Sequence, residues 1–309
     1  MVQPGEGGMG YLLRSATANG ISLHGLRDLC GLSSVRTFWA IDAPSLAGGL
    51  NVPVPELQSI LIDKRRHMDA SAYQTGGQII LRTELLRLGR PQLCVTCVHR
   101  QGYCKAMWDC QLYTVCHIHR TPMVELCKAC GGALRWYRLA VDVCHCGAYL
   151  QPLGELGADV SDADLWVANR IAKYFGGDPS GDTVSKAMPD WTNELSFDGF
   201  LSLILAFGIR VTSHQRVSRI SRTKMPRAFW RLVCTRAVQR LEDYSGGANA
   251  RLLAPWIWEG GLESLALSHV QRADQQVALR LLREVFDTEI AARFGSERAA
   301  LCQMSLFEE

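Results

Sequence analysis

The sequence predicts a mainly α-helical protein with small β elements of the zinc-ribbon type. Apolar residues recur at helical spacing in the first and last parts of the chain. Most of the twelve cysteines lie between Cys94 and Cys146, many of them in pairs with the spacing of zinc knuckles. Connectors rich in glycine and proline separate these regions. We therefore expect a helix-turn-helix-like module over residues 1–90, a double zinc-knuckle module over 91–152 and a helical module over 153–309.

The composition predicts an ordered protein, and no membrane anchor is expected. Apolar residues make up 48% of the 309 residues, which is enough for packed cores. No apolar run is long enough to cross a bilayer, and the start at Met1 lacks the basic end and apolar stretch of a signal peptide. The expected location is the cytoplasm. Disulfides do not persist there, so clustered cysteines are better explained as metal ligands.

The first module is predicted to contain short helices joined by turns. Short helices with glycine-containing connections are typical of a helix-turn-helix, but small helical bundles with no role on DNA share the pattern, and both interpretations stay open. The predicted elements are a helix over 11–18 stopped by Asn19-Gly20, a helix capped by Ser22, a third helix that is capped by Ser33 or Ser34 and carries Phe38 and Trp39, a connector over 42–55, and helices over 56–68 and 78–88.

The last module is predicted to be helical. Ser161 can cap its first helix, and Pro226 can begin its longest one, because proline fits the first turn of a helix. The predicted helices cover 162–175, 197–207, 226–244, 261–269 and 271–294.

Four half-sites for zinc follow one another in the middle module. Zinc takes four ligands in a tetrahedron, and a gap of two residues lets a tight turn present two ligands to one ion. Sequential pairing of the half-sites gives two closed sites, and the β-prone stretch 134–139 lies inside the second. The expected ligands are Cys94, Cys97, Cys116 and His119 for one structural Zn²⁺, and Cys127, Cys130, Cys144 and Cys146 for the other.

The pairing of half-sites is less constrained than the existence of two sites, and an interleaved pairing stays open. Nearby donors could also replace an assigned ligand. Because the protein supplies every ligand, both sites are predicted to be structural rather than catalytic. The nearby donors are His99, Cys104, Cys110, His117 and His145.

Enzymatic interpretations find little support. A zinc deaminase needs an upstream His-x-Glu and a proline directly before its cysteine pair, and Cys94 has neither. Gly176 and Gly181 have the spacing of a phosphate-binding loop, but the lysine that would reach the phosphates is missing. No spaced carboxylate–histidine set supports a nuclease, although isolated acids leave that rival open. The chain is predicted not to be an enzyme and to take no small-molecule substrate.

The charge is unevenly distributed along the chain. The formal net charge is +3, and seven ligand thiolates with two zinc ions would bring it to about zero. Residues 210–240 are basic with no acid, whereas 151–199 are mainly acidic. A basic helical face would bind phosphates in a salt-dependent way, and a solvated helix surface accounts for the run equally well. The candidate nucleic-acid- or effector-binding residues are Arg210, Arg216, Arg219, Arg222, Lys224 and Arg227.

A series of motifs occurs in a fixed order along the first half of the chain. Its members are Gly10-Tyr11-Leu12-Leu13-Arg14, Ala18-Asn19-Gly20, Cys94 with Cys97, Tyr103, Trp108, Cys116 with His119, Leu126-Cys127, Cys130-Gly131 and Leu134. This order resembles the TniQ family of transposition proteins, which includes TnsD. The resemblance covers about residues 6–150, with a weaker match at 252–262. Glu6-Gly7-Gly8-Met9 stands where the family more usually has Glu-Ser-Leu.

The resemblance implies a non-catalytic adaptor for target-site selection in bacterial DNA transposition. TniQ-like proteins bind target DNA directly or dock on an RNA-guided CRISPR complex, Cascade with its guide RNA. In both settings they recruit an AAA+ ATPase that leads to the transposase. Members in CRISPR-associated transposons form homodimers, so we expect a homodimer. The alternative is a zinc-containing helix-turn-helix DNA-binding transcription regulator.

Overall fold

The structure is a computed structural model that divides into two compact units, Met1–Thr183 and Val184–Glu309. The predicted boundaries at residues 90 and 152 stay a prediction. The described residues contain no helix that is long and apolar enough to span a membrane. The residues described are 1–32, 37–67, 70–151, 160–178, 188–212, 225–247, 249–268 and 271–287.

Two of the predicted amino-terminal helices are confirmed. Helix α1 spans Gly8–Ala18 and buries Leu12 and Ala16 completely. Helix α2 spans Leu23–Leu29, and the hydroxyl of Ser22 caps it by accepting a hydrogen bond from the backbone N–H of the third helical residue at 3.0 Å. The cap and the apolar spacing therefore predicted these elements correctly.

The third predicted helix is wrong where the structure describes it. Phe38 is not helical, and Trp39 is extended and forms a parallel β-bridge with Ile62. The backbone N–H of Ala40 donates to the carbonyl of Ile62 at 3.0 Å, so tertiary pairing satisfies backbone groups that a helix would have satisfied internally. The proposed caps at residues 33 and 34 lie outside the described residues.

The predicted connector over 42–55 is also wrong, because it contains one helix and the start of a second. Helix α3 spans Ala43–Leu50 and helix α4 spans Val54–Ile60, each with a proline in its first turn. Proline lacks only an N–H that has no helical partner at that position, so Pro44 and Pro55 begin helices here instead of breaking them. Asn51, in the left-handed conformation, ends α3.

The helix predicted over 56–68 is confirmed only as far as Ile60, where α4 ends, and the helix predicted over 78–88 is wrong. A three-stranded antiparallel sheet takes most of their place. Strands β1 (Asp63–His67), β2 (Ala70–Thr75) and β3 (Gln78–Ile80) are ordered β1-β2-β3. Gly76 and Gly77 both have positive φ and form the two-residue turn between β2 and β3. This Gly-Gly pair is a hairpin signal that outweighs the local helical spacing. A short 3-10 turn, Thr83–Leu85, follows the sheet.

The cysteine-rich region has little regular structure. Helix α5 spans Val95–Gln101, and strands β4 (Val115–Cys116) and β5 (Thr121–Pro122) form a two-stranded antiparallel sheet. The β-prone stretch 134–139 forms no strand, and the neighbouring residues pair only through single bridges such as Leu126–Ala133. The expected fold, mainly α with small β elements around two Cys/His clusters, is nevertheless confirmed.

The helices predicted for the last part of the chain are confirmed. Ser161 caps the first of them through a reciprocal capping box with Asp164. Helix α7 is buried along its whole length, and its N-cap residue is Ser196. The backbone N–H of Ser196 donates to the carboxylate of Asp274 at 2.8 Å. The tail of the last predicted helix lies outside the described residues. The helices are α6 (Asp162–Tyr174) in the first unit and α7 (Phe197–Gly208), α8 (Arg227–Ser245), α9 (Glu259–Ala266) and α10 (Arg272–Phe286) in the second.

Candidate metal centre

The first cluster is assembled from the start of α5 and the turn between β4 and β5. Cys94 is the N-cap of α5, and its sulfur accepts from the backbone N–H of Cys97 at 3.5 Å. Cys116 ends β4, and the turn that follows brings His119 back over it, with a 3.5 Å contact from the His119 backbone N–H to the Cys116 sulfur. N–H···S contacts of this kind stabilise thiolate, the form that binds metal.

A backbone pair holds the two half-sites of this cluster side by side. Leu93 and Val124 exchange both backbone hydrogen bonds, at 3.0 and 2.7 Å. Each of these residues lies close to one half-site in sequence. Their pairing therefore brings the two half-sites close together through backbone hydrogen bonds.

The distances between donor atoms fit one tetrahedral zinc ion. The Sγ atoms of Cys97 and Cys116 are 3.7 Å apart. The Nδ1 atom of His119 is 3.4 Å from the Cys94 sulfur and 3.3 Å from the Cys97 sulfur. Tetrahedral zinc with ordinary bond lengths places two sulfurs ~3.8 Å apart and a sulfur and a nitrogen ~3.6 Å apart. The cluster can therefore bind a metal ion, and the donor set suits Zn²⁺.

The second cluster is built from two similar turns. Each turn contains a glycine with positive φ. The N–H of Gly131 donates to the carbonyl of Cys127 at 2.8 Å, and the N–H of Gly147 donates to the carbonyl of Cys144 at 3.0 Å. Such backbone favours glycine, which lets the chain reverse tightly enough for two sulfurs to face one point. The sulfurs of Cys127 and Cys146 are 3.9 Å apart, and those of Cys130 and Cys144 are 4.0 Å apart.

The structure groups the half-sites sequentially. The donor atoms of each predicted set of four lie within 4.8 Å of one another. Among the described residues no cluster combines donors from both sets, so the interleaved arrangement does not occur. The metal-ligand role of the eight residues is a proposal that this geometry supports.

The local electrostatics of both clusters favours thiolate formation at a first cysteine. Hydrogen bonding from the thiols of Cys116 and then Cys97 lowers the pKa of the Cys94 thiol. The backbone N–H of Cys130 is the main cause that lowers the pKa of the Cys127 thiol to about 7. A thiolate that exists near neutral pH binds a divalent cation without first losing a proton, so these cysteines are suited to begin metal binding.

The additional donors named from the sequence lie outside the two sets of four. The Nδ1 atom of His117 is 2.6 Å from the hydroxyl of Tyr113, and burial lowers the His117 pKa to about 4. Burial raises the pKa of Cys104 to about 11 and that of Cys110 to about 12, so both remain thiols. His145 contacts the cluster from outside, with its Nδ1 3.3 Å from the Cys144 sulfur.

A buried arginine supports the loop between the two turns of the second cluster. The guanidinium of Arg138 donates to the carbonyls of Arg135, Ala140 and Val141 at 2.7, 3.0 and 3.1 Å. Its side chain also lies over the ring of Trp136. In a segment with almost no β ladder, one side chain thus supplies hydrogen bonds that a hairpin would have supplied. The sequence carries no signal for this role, because a lone arginine in a β-prone stretch resembles a surface residue.

Two more buried polar side chains form hydrogen bonds and an ion pair that stabilise the cysteine-rich region. The amide of Gln92 donates to the carbonyls of Trp108, Cys110 and Tyr113, at 3.2, 3.0 and 2.8 Å. Buried carbonyls in irregular segments need such partners, since no sheet or helix provides them. Arg87 contributes further, with a 2.8 Å ion pair to Glu125 just before the second cluster.

The amino-terminal helix lies directly against this region. A Cβ at Gly10 would fall 2.6 Å from the Cβ of Cys104, so only glycine permits the observed approach. Glu6, whose side chain is fully buried, forms a bidentate pair with Arg14 at 2.8 and 2.7 Å. The residues that carry the family resemblance at this end therefore have a physical role, which is to seat α1 on the metal-binding region.

Only two of the six predicted basic-face residues are described. Arg210 donates to the carbonyl of Pro255 at 3.0 Å, and Arg227 is the first residue of α8. The other four, which are Arg216, Arg219, Arg222 and Lys224, lie outside the described residues.

Further arginines of the basic run have a structural use. Arg236 donates to the carbonyl of Gly208 at 2.9 Å, and Arg240 donates to those of Phe207 and Arg210. Cations at a helix C-terminus satisfy carbonyls that lack helical partners and interact favourably with the helix dipole. Part of the basic run therefore caps α7, which the sequence alone did not distinguish from a binding face.

Comparison with known proteins finds one family model that matches the amino-terminal part of the chain. Residues 1–123 match the family model of TniQ, so the resemblance predicted from the sequence is confirmed over this range. The match contains the whole first cluster and ends before Cys127, so it does not cover the second. No curated protein matches the chain.

The two clusters differ in exposure, which predicts an order of metal loss. All three cysteines of the first cluster are buried, whereas Cys130 and Cys146 in the second are exposed. We expect two zinc ions per chain and, on mixing with a chelating chromophore, one fast and one slow release of equal amplitude. Cys130→Ser should abolish only the fast phase.

Cys234→Ser is the matched control, because Cys234 lies in α8 outside both clusters. It should retain both phases. Release of a single zinc ion from the unaltered chain, or an unchanged fast phase in Cys130→Ser, would contradict the two-site assignment.

Removal of the Arg138 side chain should loosen the second cluster. Arg138→Met leaves three carbonyls without their donor, which we expect to lower the free energy of unfolding by about 3 kcal/mol and to accelerate the fast zinc release. Arg135→Met, at an exposed position three residues earlier, should change stability by less than about 0.5 kcal/mol. Equal effects of the two substitutions in thermal and denaturant unfolding would show that Arg138 has no supporting role.

Proposed function

Since the chain carries a TniQ domain over residues 1–123, we propose that it is a non-catalytic adaptor in target-site selection for bacterial DNA transposition. It would connect an AAA+ ATPase, and through it the transposase, to target DNA or to Cascade with its guide RNA. The family match supports a transposition-associated role, and this match is the observation on which the proposal depends.

Two structural Zn²⁺ ions are part of the proposal. Each cluster offers four protein donors at tetrahedral spacing, so an ion bound there keeps no open position for water or substrate. Such an ion would contribute folding free energy and not Lewis-acid catalysis. This agrees with an adaptor, whose task is to hold surfaces in place for other proteins.

The arrangement around the first cluster supports a scaffold role. Metal binding would lock the start of α5 to the β4–β5 turn, and the close approach at Gly10 transmits that order to α1. The amino-terminal helices would then be presented as a rigid surface. Rigid binding surfaces lose less conformational entropy when a partner docks.

The proposed partners follow from the family and are not identified by the geometry. A homodimer, cytoplasmic location and contact between the basic face, Arg210 to Arg227, and nucleic acid or an effector belong to the same proposal. The competing regulator hypothesis keeps the DNA contact but lacks the ATPase. Partner binding therefore separates the two.

A reconstitution with purified components tests the proposal. The chain should bind the AAA+ ATPase encoded with its transposase in the presence of ATP, and it should also bind either target duplex or the Cascade–guide RNA complex. Omitting the chain should abolish targeted insertion, and the chain alone should neither cleave nor join DNA. Tight binding to a promoter duplex, with no affinity for the ATPase or Cascade, would establish the regulator instead.

A further inference from the structure

The first unit contains an open groove that the metal centre and the family match leave without a role. Its volume is about 800 Å³, which lies within the ordinary range of ligand sites. One wall is formed by Trp39, Ala40 and Ile41 and a second by α4, and the floor follows β1 and reaches Gln74 of β2 and the Gly76-Gly77 turn. No residue of either cysteine cluster lines it.

The groove runs along the edge of a strand. Asp63, Lys64 and Arg65 all line it, although consecutive strand residues point their side chains to opposite faces. The cavity also touches Trp39 and Ile41 on the outer side of β1 and Gln74 of β2 on its inner side, so it crosses this strand and includes its outer edge. The sheet order β1-β2-β3 makes β1 an edge strand.

The pairing at one end of β1 shows which backbone groups face the groove. The carbonyl of Ile62 accepts from the N–H of Ala40 on the outer edge, through the parallel bridge that Trp39 makes. Backbone groups of alternate strand residues point to the same edge, so the N–H and carbonyl of Lys64 also point outward. Among the described residues, none forms a backbone hydrogen bond to Lys64 on that edge.

The segment that pairs with the outer edge of β1 is short and ends at Trp39. After Trp39 the chain turns away into the 3-10 turn, and this departure leaves the outer edge of β1 open beyond Ile62. An extended peptide could continue the pairing along that edge. Main-chain hydrogen bonds of this kind provide affinity in strand-addition complexes, and neighbouring pockets provide specificity.

The side chains around the groove offer one apolar and one cationic feature. The ring of Trp39 packs against that of Tyr73, with ring centroids 5.8 Å apart. The side chain of Ile41 is 83% exposed, so the groove has an aromatic side chain and an exposed aliphatic side chain next to each other. Arg65 pairs with Asp63, but no carboxylate of a described residue lies within ion-pair distance of Lys64. Apolar walls and an unneutralised cation suit a segment with apolar and acidic residues.

A purely protective strand edge and a nucleic-acid site both fit the groove less well than a peptide site. A lysine on an edge strand protects against unwanted strand pairing, but a protected edge would not need an exposed isoleucine and a fixed tryptophan beside it. Nucleic acid requires several phosphate contacts. Among the described lining residues, only Lys64 supplies a cation for which no ion-pair partner is found, since Arg65 pairs with Asp63. A peptide is therefore the favoured occupant.

We propose that this groove is a docking site for an extended acidic peptide segment of a partner protein. The segment adds a strand to the outer edge of β1 at Lys64, places an apolar side chain against Trp39 and Ile41, and sets a carboxylate against the Lys64 ammonium. This inference concerns a surface separate from the metal clusters and holds whether or not the chain acts in transposition.

A synthetic peptide library tests the proposal. The probes are ten-residue fluorescent peptides in which Asp or Glu alternates with β-branched or aromatic residues, and a matched set carries Lys in place of every acid. Fluorescence anisotropy with the full chain should detect binding of acidic members and not of their lysine counterparts. Absence of binding by every acidic member up to about 1 mM would overturn the proposal.

Substitutions at Lys64 separate charge from strand addition. Lys64→Ala removes the ammonium and keeps the N–H, whereas Lys64→Pro also removes the outward N–H, which an edge strand tolerates. We expect roughly a threefold loss of affinity for the first and at least a further fivefold loss for the second. Equal losses would exclude pairing to the strand edge.

A second variant keeps the test valid if the proline substitution disturbs folding. Ile41→Glu places a carboxylate on the groove wall and should weaken acidic peptides at least tenfold with unchanged thermal stability. Leu29→Glu, at an exposed leucine that does not line the groove, should have no effect. Equal effects of these two variants, or an oligonucleotide that binds with the same variant sensitivity while acidic peptides do not, would refute the peptide site.

Discussion

The convergence of eight donor atoms on two points is the constraint on which the cysteine-rich region depends. Residues 92–150 contain one short α-helix, the 3-10 helix Ala106–Asp109, two strands of two residues each and a few single bridges, so regular hydrogen bonding supplies little of their order. Seven sulfurs and one imidazole nitrogen nevertheless lie at the spacing that a tetrahedral ion imposes. A metal ion bound at each cluster would account for the defined shape of so irregular a segment.

Buried polar side chains complement the proposed metal. Arg138 holds the loop of the second cluster, Gln92 holds three carbonyls beside the first, and the pair of Glu6 with Arg14 fixes the start of α1. Each of these side chains pairs with backbone carbonyls or with a charged side chain. Burying such polar groups without partners would cost free energy of folding. The metal clusters and this polar framework are thus mutually dependent, because the framework places the half-sites and the ions would lock them.

Sequence patterns predicted the grouping of the two Cys/His clusters and the later helices well for a clear physical reason. Ligand spacing, a serine cap at Ser161 and helical apolar periodicity are local features, and local features determined those elements. The region 38–88 was predicted poorly because its structure depends on contacts between distant residues. The bridge of Trp39 with Ile62 and the pairing of β1 with β2 override local helical spacing. Similarly, no local signal showed that Arg236 and Arg240 cap α7.

Hydrogen–deuterium exchange of the full chain before and after zinc chelation tests the organising role of metal most directly. We expect that removal of metal, verified by elemental analysis, abolishes amide protection across residues 92–150 while α7 to α10 keep theirs. Retention of the same protection in a metal-free chain would show that packing and polar contacts suffice, and the proposed organising role of metal would be wrong.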